Sequence, residues 1–242
     1  MDGHPFNFIF RTCRPCNARK AAAERHVSSV TLFNSPGRLE DAHVNEVALR
    51  KARGDYHPNR KGILVQDGHE NLSIRGSFGQ MSINFDMVAP PQLNRNMVGE
   101  IAFSHIQGLF TLISTEDFRD ASKMRLLPQE QFIWYDCYTH GDWGNPHAVE
   151  IADRVRDWEC LANIVSAKGY FRATLRCSDE GWFWALEWNR QLRLVGGIST
   201  SRMKVFEGLP NEGWLATPHG RMRKQVPHEP ESDQLFAGVV RD

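Results

Sequence analysis

The chain carries no surplus of charge: 29 basic residues face 29 acidic ones across 242 positions. That balance excludes a long-range field able to gather a polyanion, so any nucleic-acid contact must come from a local patch. Cysteine is scarce and odd in number, with five residues at 13, 16, 137, 160 and 177. So few, so scattered, exclude a disulfide framework and fit a reducing compartment. No apolar run approaches the roughly 20 residues of a membrane span. The opening has Asp2 where a secretory leader has basic residues, and its apolar stretch is short and broken. The expectation is a cytoplasmic protein without a membrane partner. Also missing are a glycine-rich phosphate loop, a nucleophile elbow and paired catalytic carboxylates. A small-molecule enzyme therefore finds no motif to support it, and no internal repeat suggests a solenoid.

What is present reads as interspersed strands and helices. Residues 6–11 are rich in β-formers and lead into Cys13, and residues 17–31 hold no proline or glycine, which predicts a strand, a knuckle and a helix. Asn34, Ser35, Pro36 and Gly37 then stop the helix. A second helix is expected over 41–53, and a three-stranded meander over 62–88 from apolar clusters separated by Gly68, Gly76 and Gly79. Asn94 or Asn96 can cap a helix over 96–114, where Val98, Ile101, Ala102, Ile106, Leu109, Phe110 and Ile113 follow a 3.6-residue repeat. Residues 131–138 read as a strand. Asn145 and Pro146 open a helix whose buried stripe is expected to run through Ile151, Val155, Trp158 and Ala162. Strands follow at 169–177, 181–188 and 192–198, joined by links short enough for hairpins, and 203–209 is expected to add an edge strand. Without strict βαβ alternation the fold class is α+β, an antiparallel sheet packed against two long helices. The expected organisation is an N-terminal piece over 1–35, a body over 36–215 and a loosely ordered tail over 216–242. Residues 96–242 are expected to fold without the first 35.

Several candidates have a plain structural reading. His105 lies on the apolar stripe of the 96–114 helix and reads as a satisfied core histidine. His140 and Asp142 sit two apart on a loop, too little for a metal site. Trp182, Trp184, Leu186 and Trp188 share one face of a strand. They suit a core, or alternatively a platform on which bases stack, with Arg172 and Arg176 nearby. Cys137, Cys160 and Cys177 read as small buried apolar residues.

One motif carries chemistry. Cys13 and Cys16 can aim two thiolates at one zinc ion, because the turn between them is tight. A redox pair is the other use of such spacing, although no strand–helix–strand pattern surrounds it. The continuation through Asn17, Arg19 and Lys20 resembles the closing half of the zinc-supported finger of the HNH endonuclease family, over about residues 4–31. That resemblance implies Cys13 and Cys16 as structural zinc ligands and Asn17 as the last member of the catalytic metal-binding triad. It also implies Arg11, Arg14, Arg19 and Lys20 near phosphates, with DNA favoured over RNA as partner. The family's first cysteine pair and Asp–His dyad belong upstream of Cys13, and Asp2 and His4 only faintly echo the dyad. The expectation is a fragment or relic of a nuclease, in which a catalytic divalent metal such as magnesium acts only if the missing half exists. The alternative is a non-catalytic binding module using the basic helix and the C-terminal aromatic sheet.

Overall fold

A computed structural model describes residues 13–33, 46, 50, 70–78, 81–89, 93–117, 120–139, 146–166, 169–189, 191–209, 214–217, 220–223 and 235–236. Helix α1 (Arg14–Phe33) follows Cys13 directly. Strands β1 (Glu70–Phe78) and β2 (Met81–Ala89) form an antiparallel hairpin. The 62–65 strand of the expected meander and most of the 41–53 helix lie outside the described residues. Helix α2 (Arg95–Ser114) starts where its cap predicts, with the Asn94 side chain accepting from the N–H groups of Asn96 and Met97. That contact satisfies two donors no helical carbonyl can reach.

The centre is a five-stranded antiparallel sheet of order β3-β7-β6-β5-β4, so the class is α+β. Its strands are β3 (Phe132–Thr139), β4 (Glu159–Ser166), β5 (Phe171–Ser178), β6 (Gly181–Trp188) and β7 (Leu192–Ile198). The β5–β6 turn is closed by Gly181 at φ 127°, and the β6–β7 link by Asn189 at φ 51°. Both are left-handed conformations that glycine and asparagine tolerate best.

Period-2 alternation sends the two faces of the sheet to different covers. Ala173, Leu175, Trp184, Leu186, Trp188, Leu192, Leu194 and Ile198 face α1 and α2, which supply Ala23, Val27, Val98, Ile101, Ala102, Ile106 and Leu109 to the same core. The expected division near residue 35 therefore does not separate two cores, because α1 is part of the body. The opposite face packs Phe183, Ala185 and Val195 under helix α3 (Pro146–Arg154), Met203, Val205 and the Leu235–Phe236 turn.

Four sequence expectations change. The 145–162 helix ends at Arg154, and residues 159–166 are strand β4, paired along β5 from Glu159↔Cys177 to Ser166↔Phe171. The backbone of an open sheet edge outweighs a helical stripe that stops paying after Val155. Residues 204–206 form a 3₁₀ turn in place of an edge strand. The expected tail is structured where it is described: β8 (Trp214–Thr217) pairs with β9 (Gly220–Arg223), and Leu235 and Phe236 are buried. Cys160 is exposed, because a bulge between Cys160 and Ala162 on edge strand β4 disrupts the alternation there. Cys177 is half-buried, and the side chain of Cys137 lies outside the described residues.

Candidate functional site

The first turn of α1 gathers the residues that the knuckle motif marks. Proline at the second helical position, Pro15, suits a first turn that needs no N–H there. Cys13 acts as the cap: its Sγ accepts the Cys16 N–H at 3.3 Å, and the Asn17 N–H reaches the Cys13 carbonyl at 3.0 Å. Cys13, Arg14, Cys16 and Asn17 are all exposed. Hydrogen bonding from the Cys16 side chain, and then from its N–H, lowers the Cys13 pKa below the ordinary thiol value. The same contact, accepted by Cys13, raises that of Cys16. Cys13 is thus the readier of the two to ionise to the thiolate.

Two sulfurs on one helix start fit half of a tetrahedral zinc shell. Among the described residues, no cluster of three or more His, Cys, Asp or Glu is placed to complete it. His26 is committed elsewhere: it is buried, and its Nε2 accepts the Asn94 N–H at 2.7 Å, tying α1 to the start of α2. His4 lies outside the described residues, as do Arg11, His140 and Asp142. Every described strand pair is antiparallel, so the parallel strand–helix–strand setting of a thioredoxin-like redox pair is not found among the described residues.

The implied phosphate ligands are placed unequally. Arg14 is exposed at the helix start. Arg19 reaches Cys16 Sγ at 3.8 Å and pairs with Glu100 of α2, also at 3.8 Å. Lys20 is held by Glu24 at 2.6 Å. Exposed pairs of this kind are weak, about 0–1 kcal/mol, and can be exchanged for phosphate. The aromatic platform is a different matter. Trp184 and Leu186 are fully buried beneath the helices, Trp188 is buried at the wall of an opening and Trp182 is half-buried, so the four do not form an exposed platform for bases. Arg176 is buried on the other face, donating to the carbonyls of Val155, Arg156 and Leu235.

Among the described residues, two openings flank the α1–α2 pair, and neither was evident from spacing. One, of about 510 Å³, lies between α2 and edge strand β3 and includes Arg19, Arg95, Glu100, Phe103, Phe132 and Trp134. The other, of about 490 Å³, lies between α1 and β5 and includes Glu24, Arg25, His105, Tyr170, Phe171 and Trp188. His105 rests against Phe171 and Trp188, ring centroids 4.8 and 5.9 Å away. Burial pushes its pKa down to about 4, with a smaller push from Lys20 opposed by Glu24, so the imidazole is neutral at pH 7. It is half-buried at a cavity wall, not sealed in the core. Tyr170 holds Thr31 at 3.1 Å, and burial raises its phenol to about 12.

No protein-family model, no curated protein and no solved structure matches the chain. No helix among the described residues is long and apolar enough to cross a membrane.

Proposed function

We propose that this is an HNH-endonuclease-related, nucleic-acid-associated protein whose α1 start corresponds to the closing half of a zinc-supported finger. The observation that supports it most is the placement of Cys13, Arg14, Cys16 and Asn17 together at the exposed opening of a 20-residue helix. Both thiols are accessible, the more acidic one is the cap, and a cation stands beside them. Arg14 and Arg19 supply local positive charge on a chain whose net charge is zero, as a patch-based mode of binding requires. Zinc would be held by Cys13 and Cys16, and would fix the knuckle's shape. Asn17 would take the place of the triad's last member.

In this reading the start of α1 grips nucleic acid, and cutting requires an Asp–His dyad that residues 13–33 do not themselves supply. The test measures metal content and DNA binding on the purified chain, and on Cys13→Ser and Arg14→Ala. Weakly held zinc, at less than one ion per chain and lower still in Cys13→Ser, and DNA affinity reduced in Arg14→Ala are expected. No cleavage of plasmid DNA with magnesium or manganese is expected either. Zinc content and DNA affinity unchanged in both variants would remove the finger reading. Cleavage abolished by Asn17→Ala would remove the relic reading.

A further inference from the structure

We propose that the opening between α2 and β3 is a binding site for single-stranded nucleic acid, taking a base against its aromatic wall and the adjoining phosphate on Arg95. This rests on the nucleic-acid reading above, and names the form of nucleic acid and the surface that receives it.

Among the described residues, Arg95 has no ion partner. Arg95 is exposed, and among the described residues its side chain makes one contact, its Cζ lying 5.5 Å from the centroid of the Trp134 ring. A guanidinium stacked on an indole keeps its N–H edge free for phosphate while its face is held. The stack is built by spacing. Arg95, Gly99 and Phe103 recur every four residues on α2 and so share one side of the helix. Trp134, on the edge strand, leans into the gap left by Gly99, where a β-carbon would meet the indole at 2.8 Å. Phe103 then meets Phe132 edge-on at 5.3 Å, and Phe132 lies flat on buried Trp184 at 5.1 Å. The aromatic wall is therefore anchored in the core while Trp134, Phe103 and Phe132 themselves remain half-buried.

Charge and size narrow the occupant. Arg95 and Arg19 line the opening against the single carboxylate of Glu100, which favours an anion by one net charge. The volume, about 510 Å³, falls within the range of about 300–1,000 Å³ typical of small-ligand clefts. Such a cleft admits a nucleotide or two and has no room for a duplex. Aromatic faces beside arginines are the chemistry by which single strands are held, since every base has a stackable face. The opening shares Arg19 with the α1 start, so one strand can touch both surfaces.

The test uses the full chain and fluorescently labelled oligo(dT), oligo(U) and a mixed-sequence duplex of equal length, with anisotropy read at two salt concentrations. Tighter binding of the single strands than of the duplex is expected. Arg95→Ala should weaken oligo(dT) binding about tenfold, in line with one phosphate and one stacked base. Glu100→Gln should tighten it, a direction that loss of folding cannot mimic. Thermal melts of both variants should match the parent. Equal effects on oligo(dT) and oligo(U) assign the site to phosphate and base stacking alone; a loss confined to one of them shows that the site also reads the 2′-hydroxyl or the thymine 5-methyl group, the two features in which the probes differ. Duplex preference, or oligo(dT) affinity unmoved by both substitutions, overturns the inference. That failure is separable from failure of the finger reading: sensitivity to Arg14→Ala without sensitivity at Arg95 and Glu100 leaves the finger and removes the groove. The reverse pattern leaves the groove and removes the finger. No binding to any of the three probes removes both.

Discussion

Lowering the pH should destabilise this protein through His105 in a way that a non-titrating residue at the same position abolishes. The ordinary pKa of 6.5 falls to about 4 in the folded protein, chiefly because the ring is buried against Phe171 and Trp188. The unfolded chain therefore binds a proton at a pH where the folded chain does not. Stability is fully present above about pH 6.5, and falls as the pH drops towards 4. A shift of 2.5 units, the difference between those two values, has a ceiling of about 3 kcal/mol. The ring is partly exposed at the cavity wall, and solvent screening reduces that to about 1–2 kcal/mol. The assay is urea unfolding at pH 7 and pH 4.5 for the parent and for His105→Gln. The parent should lose about 1–2 kcal/mol more than the variant across that interval, whatever the other histidines and the carboxylates contribute to both. Lys20 and Glu24 act on the ring in opposite senses, so Lys20→Met should raise the pKa of His105 slightly, as read by NMR titration. Equal losses in parent and variant, or a His105 titration near pH 6.5, would refute the reasoning.

Three further outcomes follow from the packing. Glu187, 1% exposed, accepts two hydrogen bonds from Arg193 at 2.8 and 3.1 Å, with Arg172 3.8 Å away on the other side. Glu187→Ala removes the carboxylate that faces the buried Arg193 guanidinium and should cost about 3–5 kcal/mol in chemical denaturation; a cost under 1 kcal/mol would mean water replaces the carboxylate freely. Gly196→Ala should be severe, because its β-carbon would stand 2.0 Å from the Ile133 carbonyl oxygen and 2.2 Å from Trp184. Its cost should reach or exceed the upper end of the roughly 1–3 kcal/mol of ordinary overpacking, and an unchanged melting temperature would show that β3 slides aside without cost. Removing residues 1–35 should abolish the cooperative thermal transition of the remainder, since it uncovers the α2 and sheet side chains on which Ala23 and Val27 pack; a sharp melt would restore the division that the sequence suggests.

The elements that could be read from the sequence were those whose local signal and tertiary surroundings agree. Asn94 before a 3.6-residue apolar repeat marks α2 to within a residue, and alternation with short links marks β5, β6 and β7. The misreadings occur where the partner is distant in sequence. Residues 159–166 are amphipathic enough for either state, and only pairing with β5, across a bulge, decides for a strand. The turn at Asn34 to Gly37 looks like a boundary, because sequence records the end of α1 but not the surface that its Val27 reaches. Leu235 and Phe236 sit among prolines and charges that argue against order. They are nonetheless fixed by Arg176 donating to the Leu235 carbonyl, Asn163 donating to that of Phe236, and Arg193 over the Phe236 ring.

For the candidate site, the knuckle was legible because thiols two residues apart carry meaning at any location, whereas a lone arginine does not. Arg95 gains significance only from Trp134, which reaches it from another element, and from Gly99, whose missing side chain admits the indole. The i, i+4 spacing of Arg95, Gly99 and Phe103 was available, but an apolar stripe on the same helix competes with it for attention. That stripe is buried, and so are the tryptophans of β6, the most aromatic segment of the chain. Aromatic density thus points to the core here, while the residues that can meet a ligand are the sparser ones at the edge strand. Among the described residues β3 is an edge strand, so one flank of Trp134 has no neighbouring strand, while Gly99 and Arg95 of α2 lie against its ring. On the proposed reading, binding by aromatic contact belongs to the sheet's margin, where Arg19 brings α1 alongside.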